Sequence, residues 1–204
     1  MQQVAVFFDY ENVHRVGHGL YSRLGEQKYE TVVDPRALAG RLVGMRRPLS
    51  ELAQVLVFRG RPVPAHQPEA ASANDIQKTA WEQDPRVRVI RRDLRYDFDA
   101  DVSNRFVARE KGIDVALAIA IVGGAIRGEF DVAIVFTGDT DVMPALELAF
   151  YGTEPRIEIA CWQGSKPLWF AEGLRQRPPR RLPYCHFLKE DDFLACRDFS
   201  AADL

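Results

Sequence analysis

In the stretch VFTGDTDVMPALELA, residues 135–149, a strand-like apolar run passes into a helical pattern, with Asp139 and Asp141 at the turn, separated by one threonine. Two carboxylates so placed repel each other, and no basic residue adjoins them in the chain. A hard divalent cation relieves such crowding. Mg²⁺ takes oxygen ligands, usually one or two carboxylates with waters and substrate phosphate. Such an ion lowers the pKa of a bound water and stabilises charge developing on a transferring phosphoryl group. Without it, neighbouring carboxylates raise one another's pKa values.

Other residues belong with this pair. FFDYEN brings Asp9, Glu11 and Asn12 to the end of the first apolar run, and EKGIDVALA carries Lys111 and Asp114 at the start of a helical pattern. In an open parallel sheet, ligands bind beyond the carboxyl ends of strands, where the connections diverge. If the strands leading to Asp9 and to Thr137 are neighbours, Asp9, Asp139 and Asp141 meet in one pocket and Asp114 leans in from the crossover helix. Asp9, Asp114 and Asp139 are then expected to hold Mg²⁺ or Mn²⁺, and Asp141 to complete the catalytic set as a ligand or supporting group. Asn12 and Thr137 would orient the scissile phosphate or its water, and Lys111 would contact substrate phosphate. Each residue also has a plainer reading. Asp141 caps the helix that starts at Val142, Asp114 caps another, Asp9 ends a strand, and Lys111 only neutralises the acidic pocket.

The elements that must position these groups are legible as patterns. Five apolar, β-branched runs, at 4–8, 53–58, 87–91, 131–136 and 156–161, are continuous rather than alternating, as strands covered on both faces are. Helical patterns at 34–45, 72–83, 114–126 and 141–152 separate them, the first opening with an Asp cap and a proline. This alternation predicts an α/β fold with a mainly parallel central sheet between helical layers. A Pro-rich loop is expected over 59–72 and a polar loop over 93–106. The tail 186–199 reads as a short strand or turn followed by a closing helix.

At this point VAVFFDYEN, KGIDVALA and DVAIVFTGDTDVMPAL together resemble the three motifs of NYN-domain proteins, in the LabA-like branch of the PIN-like nuclease superfamily. The resemblance runs from about Val4 to Cys161, with 162–204 as a C-terminal extension of a single 1–204 domain. It implies a PIN-like three-layer α/β/α fold and a metal-dependent ribonuclease site. Asp9, Asp114, Asp139 and Asp141 match the family's acidic residues, and Asn12 its polar residue after the first Asp. One position departs from the pattern. Many LabA-like sequences carry a second Asp six residues after the one matched by Asp114, and here that residue is Ala120. If the departure weakens an active enzyme, Ala120→Asp should raise its rate.

Composition sets the wider frame. A net charge of −2 argues against attraction of the whole molecule to nucleic acid, which leaves local patches to provide it. Arg59, Arg61, Arg91, Arg92 and Arg95 follow the second and third strands and would rim the same edge, and RQRPPRR at 175–181 is a basic turn. His14 and His18 read as ordinary loop residues rather than acid–base groups. Trp162, Trp169 and Phe170 read as core before base-stacking rings. Three cysteines without metal-site spacing, no basic leader and no apolar run near the ~20 residues of a bilayer crossing suggest a cytoplasmic protein with reduced thiols and no membrane partner. The expected partner is single-stranded RNA, and a homodimer stays open. Two rival classes remain. One is a PIN-like protein that binds RNA without cutting it. The other is a receiver-like phospho-signalling domain using Asp9, Asp93, Thr137 and SKP at 165–167. A haloacid-type phosphatase would need Asp-x-Asp on the first strand, where this chain has DYE.

Overall fold

In a computed structural model of the chain, which describes residues 1–98, 106–168 and 183–198, all five apolar runs become strands of one sheet. The strands are β1 (Gln2–Asp9), β2 (Ser50–Arg61), β3 (Val87–Asp93), then, beyond a separate ribbon of β4 (Arg95–Phe98) and β5 (Phe106–Arg109), β6 (Val132–Phe136) and β7 (Arg156–Trp162). A sixth, β8 (Cys185–Leu188), joins them at one edge. The order is β3-β2-β1-β6-β7-β8, and every pairing is parallel. The helices are α1 (Tyr10–Tyr21), α2 (Pro35–Gly44), α3 (Pro68–Trp81), α4 (Ile113–Arg127), α5 (Met143–Gly152) and α6 (Glu190–Ala195).

Successive strand residues point to opposite faces, and β1 feeds a core on each. Val4, Val6 and Phe8 pack with Val13 of α1, Leu38 and Leu42 of α2, Trp81 of α3 and Phe193 of α6. Ala5 and Phe7 pack with Leu117 and Ile121 of α4 and Leu146 of α5. The result is a three-layer α/β/α fold. Both layers being apolar is why these strands carry uninterrupted hydrophobic runs.

Local chemistry sets the helix starts. Asp34 accepts the N–H groups of Arg36 at 2.7 Å and Ala37 at 3.2 Å, and Pro35 occupies the first turn of α2, where its missing N–H costs nothing. Pro68 does the same for α3, so that helix begins four residues before the expected 72, and β2 runs on to Arg61 into the span expected as loop. Gly112 precedes α4 with φ 76°, a conformation other residues adopt only with strain.

Two further expectations are corrected. Most of the polar span 93–106 that is described forms the antiparallel β4–β5 ribbon, because tertiary support lets a short, charge-bearing strand pair form. His14 and His18 sit on α1 rather than in a loop, since α1 starts directly after β1. Residues 186–199 do contain a strand end and a short helix, as expected. Trp169, Phe170 and RQRPPRR lie outside the described residues. Cys161, Cys185 and Cys196 are free thiols. No helix among the described residues is long and apolar enough to cross a membrane.

Candidate active site

From β1 the chain steps outward through β2 to β3, and from β6 through β7 to β8, so the connections diverge between β1 and β6. A ligand-binding crevice is expected beyond the carboxyl ends of that pair. Asp9 ends β1 and caps α1. Its Oδ1 accepts the Asn12 N–H at 3.4 Å and its Oδ2 accepts the Thr137 hydroxyl at 2.7 Å. The Thr137 oxygen accepts the Asp139 N–H at 3.0 Å, and Asp139 Oδ1 accepts the Asp141 N–H at 2.9 Å. Asn12 Oδ1 accepts the Gly138 N–H at 3.0 Å. A hydrogen-bonded chain thus ties the end of β1 to the GDTD turn after β6.

These bonds refine the plainer readings. Asp139, not Asp141, caps the 3-10 turn Thr140–Val142 that leads into α5, and Asp141 is left exposed. Thr137 is buried, with its hydroxyl committed to Asp9 and to the Asp139 amide, so it positions carboxylates instead of facing a substrate. Asn12 does the same for the turn. Asp114 is half-buried in the first turn of α4, behind Gly112.

The electrostatics show that the acids share one field. Burial pushes the Asp9 carboxyl up to about 6, against the hydrogen bonds from Thr137 and Asn12, and Asp114 and Asp139 push the same way. Burial likewise raises Asp114, with Asp139 and then Asp141 adding to it. A fifth acid belongs here that the motifs do not mark. Glu110 is raised to about 7 by burial of its carboxyl end, with Asp9, Glu11 and Asp114 adding, while it accepts the Gly60 N–H. The residue as a whole is exposed, but its Oε1 lies only 2.9 Å from where a Cβ on residue 60 would sit, so any side chain at that position would displace it. Only the packing of the ribbon's exit against β2 brings Glu110 in. Among the described residues, no Lys or Arg forms an ion pair with Asp9, Glu110, Asp114, Asp139 or Asp141. Glu11 is the exception at this edge, paired with Lys28.

The arginines divide sharply. Arg59 lies over the rings of Tyr10 at 4.7 Å and Trp81 at 5.4 Å and donates to Gln77 Oε1 at 2.7 Å. Arg61 grips Asp75 through Nε at 2.9 Å and Nη2 at 2.7 Å, and Arg91 also pairs with Asp75. Arg92, Arg95 and Lys111 form no ion pair with a described residue. His14 and His18 both meet Thr31 Oγ1, at 3.3 and 2.9 Å, and burial lowers His14 to about 4, so it is neutral at physiological pH. Trp162 is core, its indole N–H donating to the Val13 carbonyl at 2.8 Å. Ala120 packs against the apolar layer under α4.

The donor set suits a hard cation in kind, since it is all oxygen and its burial, then its crowding, raise carboxyl pKa values that a dication would bring back down. Among the described residues, however, no three His, Cys, Asp or Glu side chains converge as a ready ligand set, so Asp9, Asp114 and Asp139 do not form a closed cage. The residues fit a largely hydrated Mg²⁺ or Mn²⁺ held by one or two carboxylates.

The chain matches no protein-family model and no curated protein. Its backbone is similar to the crystal structure of a protein of unknown function from Vibrio parahaemolyticus, at 13% identity over 78% of this chain and 80% of that one, with a TM-score of 0.47.

Proposed function

We propose that this chain is a divalent-metal-dependent ribonuclease that hydrolyses RNA phosphodiester bonds in the crevice between β1 and β6. The observation that carries this reading is the chain of bonds from Asp9 through Thr137 to Asp139. It holds carboxylates from two adjacent strands at the divergence point, where neither Asp9 nor Asp139 forms an ion pair with a described cation. The resemblance to NYN-domain motifs rests on the same residues and supplies the substrate, RNA. One or two of Asp9, Asp114 and Asp139 would hold Mg²⁺ or Mn²⁺ directly and the remainder through its waters, with Asp141 in support. When bound, the ion supplies charge stabilisation and a more acidic water.

The protein's own groups have distinct tasks. Thr137 and Asn12 fix the geometry of both acidic arms. Glu110, with its carboxyl near neutrality, is suited to take or give a proton at working pH, because efficient general acids and bases titrate there. A cytoplasmic setting, with the thiols reduced, belongs to the same reading.

A second reading is a PIN-like protein that binds RNA without cutting it, and the lack of three converging ligands among the described residues favours it. The receiver-like reading is weaker. Receiver-type sheets place the third strand beside the first, whereas here β2 separates them and Asp93 pairs with Arg61 at 3.7 Å. Incubation with single-stranded RNA separates the two main readings. Cleavage with Mn²⁺ that EDTA abolishes supports the nuclease, and retention without cleavage supports the binding protein.

A further inference from the structure

Beside the acidic crevice, between β3, the β4–β5 ribbon and the start of α4, lies a cleft of about 940 Å³ lined by Val63, Arg92, Arg95, Lys111, Gly112 and Ala116. Its cations come from β3, from β4 and from the loop before α4. Arg91 also reaches it but is spent on Asp75, and Asp93 in its wall is paired with Arg61 at 3.7 Å. That leaves Arg92, Arg95 and Lys111 as positive charge that no described carboxylate balances. The ribbon sharpens the imbalance. Arg95 stands directly opposite Arg109 across the strand pair, an arrangement of like charges that works against pairing, and Asp97 of the same ribbon lies 3.3 Å from Arg109. Arg92 packs at the head of α4, 3.4 Å from where a Cβ on Gly112 would be, and Asp114 follows two residues later. Uncompensated positive charge therefore borders uncompensated negative charge without pairing with it.

We infer that this cleft binds the phosphate backbone of a single-stranded polynucleotide and delivers it to the acidic crevice. The inference rests on the proposed function for what happens in that crevice, but the binding itself does not. A phosphodiester strand meets both halves of the surface, because its oxygens pair with arginine and lysine and are also ligands of a hard cation. An acidic peptide offers the first interaction but brings its own carboxylates to a crowded acidic edge. At about 940 Å³, the upper end for small-ligand pockets, the cleft has room for a short run of one strand. Its unpaired cations are of the kind that hold phosphate oxygens, so binding follows the backbone.

The test is fluorescence anisotropy of a fluorescein-labelled single-stranded RNA, in EDTA so that no cleavage occurs. Three phosphate contacts give a slope of about −2 in log K against log[salt] for a single strand. Arg92→Gln and Lys111→Gln should each bring the slope to about −1.4. Arg127→Gln, whose parent side chain pairs with Glu129 at the opposite end of α4, should leave it unchanged, with circular dichroism confirming that each variant is folded. A slope near zero, or one that Arg92→Gln and Lys111→Gln leave alone, overturns the inference. So does equal competition by polyglutamate, or equal affinity for a duplex. Salt-dependent binding that responds to these variants, in a protein that does not cut RNA with Mn²⁺, removes the ribonuclease and leaves the cleft standing.

Discussion

Asp9 illustrates how one buried carboxyl serves a site at a cost to the fold. Its rise from 3.8 to about 6 corresponds to about 3 kcal/mol. Because the folded-state value lies above the unfolded one, no cost exists below about pH 4, where both states are protonated. The cost grows as pH rises and is complete above about pH 6. His14, lowered to about 4, works in the opposite direction over much of the same window, since the unfolded state alone binds its proton there. The clean observable is therefore the difference between wild type and Asp9→Asn, measured by denaturant unfolding in EDTA. Asp9→Asn should match wild type near pH 4 and become more stable than it toward pH 7, by up to about 3 kcal/mol. A variant that is instead less stable at pH 7 than at pH 4, relative to wild type, would show that the carboxylate is not strained in the metal-free protein.

At the scale of elements, the strands and the site did not emerge from sequence to the same degree. Val4–Phe8 and Val132–Phe136 are buried on both sides, so their continuous apolar runs announce them, and Asp9 and Asp139 are legible as acids at their ends. The β4–β5 ribbon leaves no such signature, because Arg95 and Asp97 alternate with Tyr96 and Phe98 and the pair joins neither main core. Glu110 and the split of the arginines into spent and free depend on where the ribbon and α3 dock, which no local pattern encodes. The same element-level view changes the expectation for Ala120. It lies six residues beyond Asp114, about 9 Å further along α4, against the apolar layer. Ala120→Asp is thus predicted to lower stability by about 1–3 kcal/mol, as burial of an unpaired polar group does, without raising cleavage. A faster, fully stable variant would show that the departure from the family pattern lies in the site.

At the scale of the whole molecule, two halves of one sheet edge carry opposite unbalanced charge, although the chain as a whole is close to neutral at −2. Millimolar Mg²⁺ or Mn²⁺ should raise the melting temperature by mass action on the folded state, by an amount that grows with concentration. The rise should shrink as pH falls below about 6, where Asp9 holds its proton. Calorimetry across pH and metal concentration measures both, and an unchanged transition at saturating metal would argue for a site that holds none. The most direct measurement is the rate of RNA cleavage with Mn²⁺ by wild type and by Asp139→Asn, taken beside their thermal stabilities. Asn is as good a cap for the turn after β6 and removes one of the crowded charges, so stability should be equal or slightly higher. Cleavage should fall at least about 100-fold, the scale of losing a group that stabilises transition-state charge. Full cleavage by a well-folded Asp139→Asn protein would contradict the assignment of catalysis to the GDTD turn.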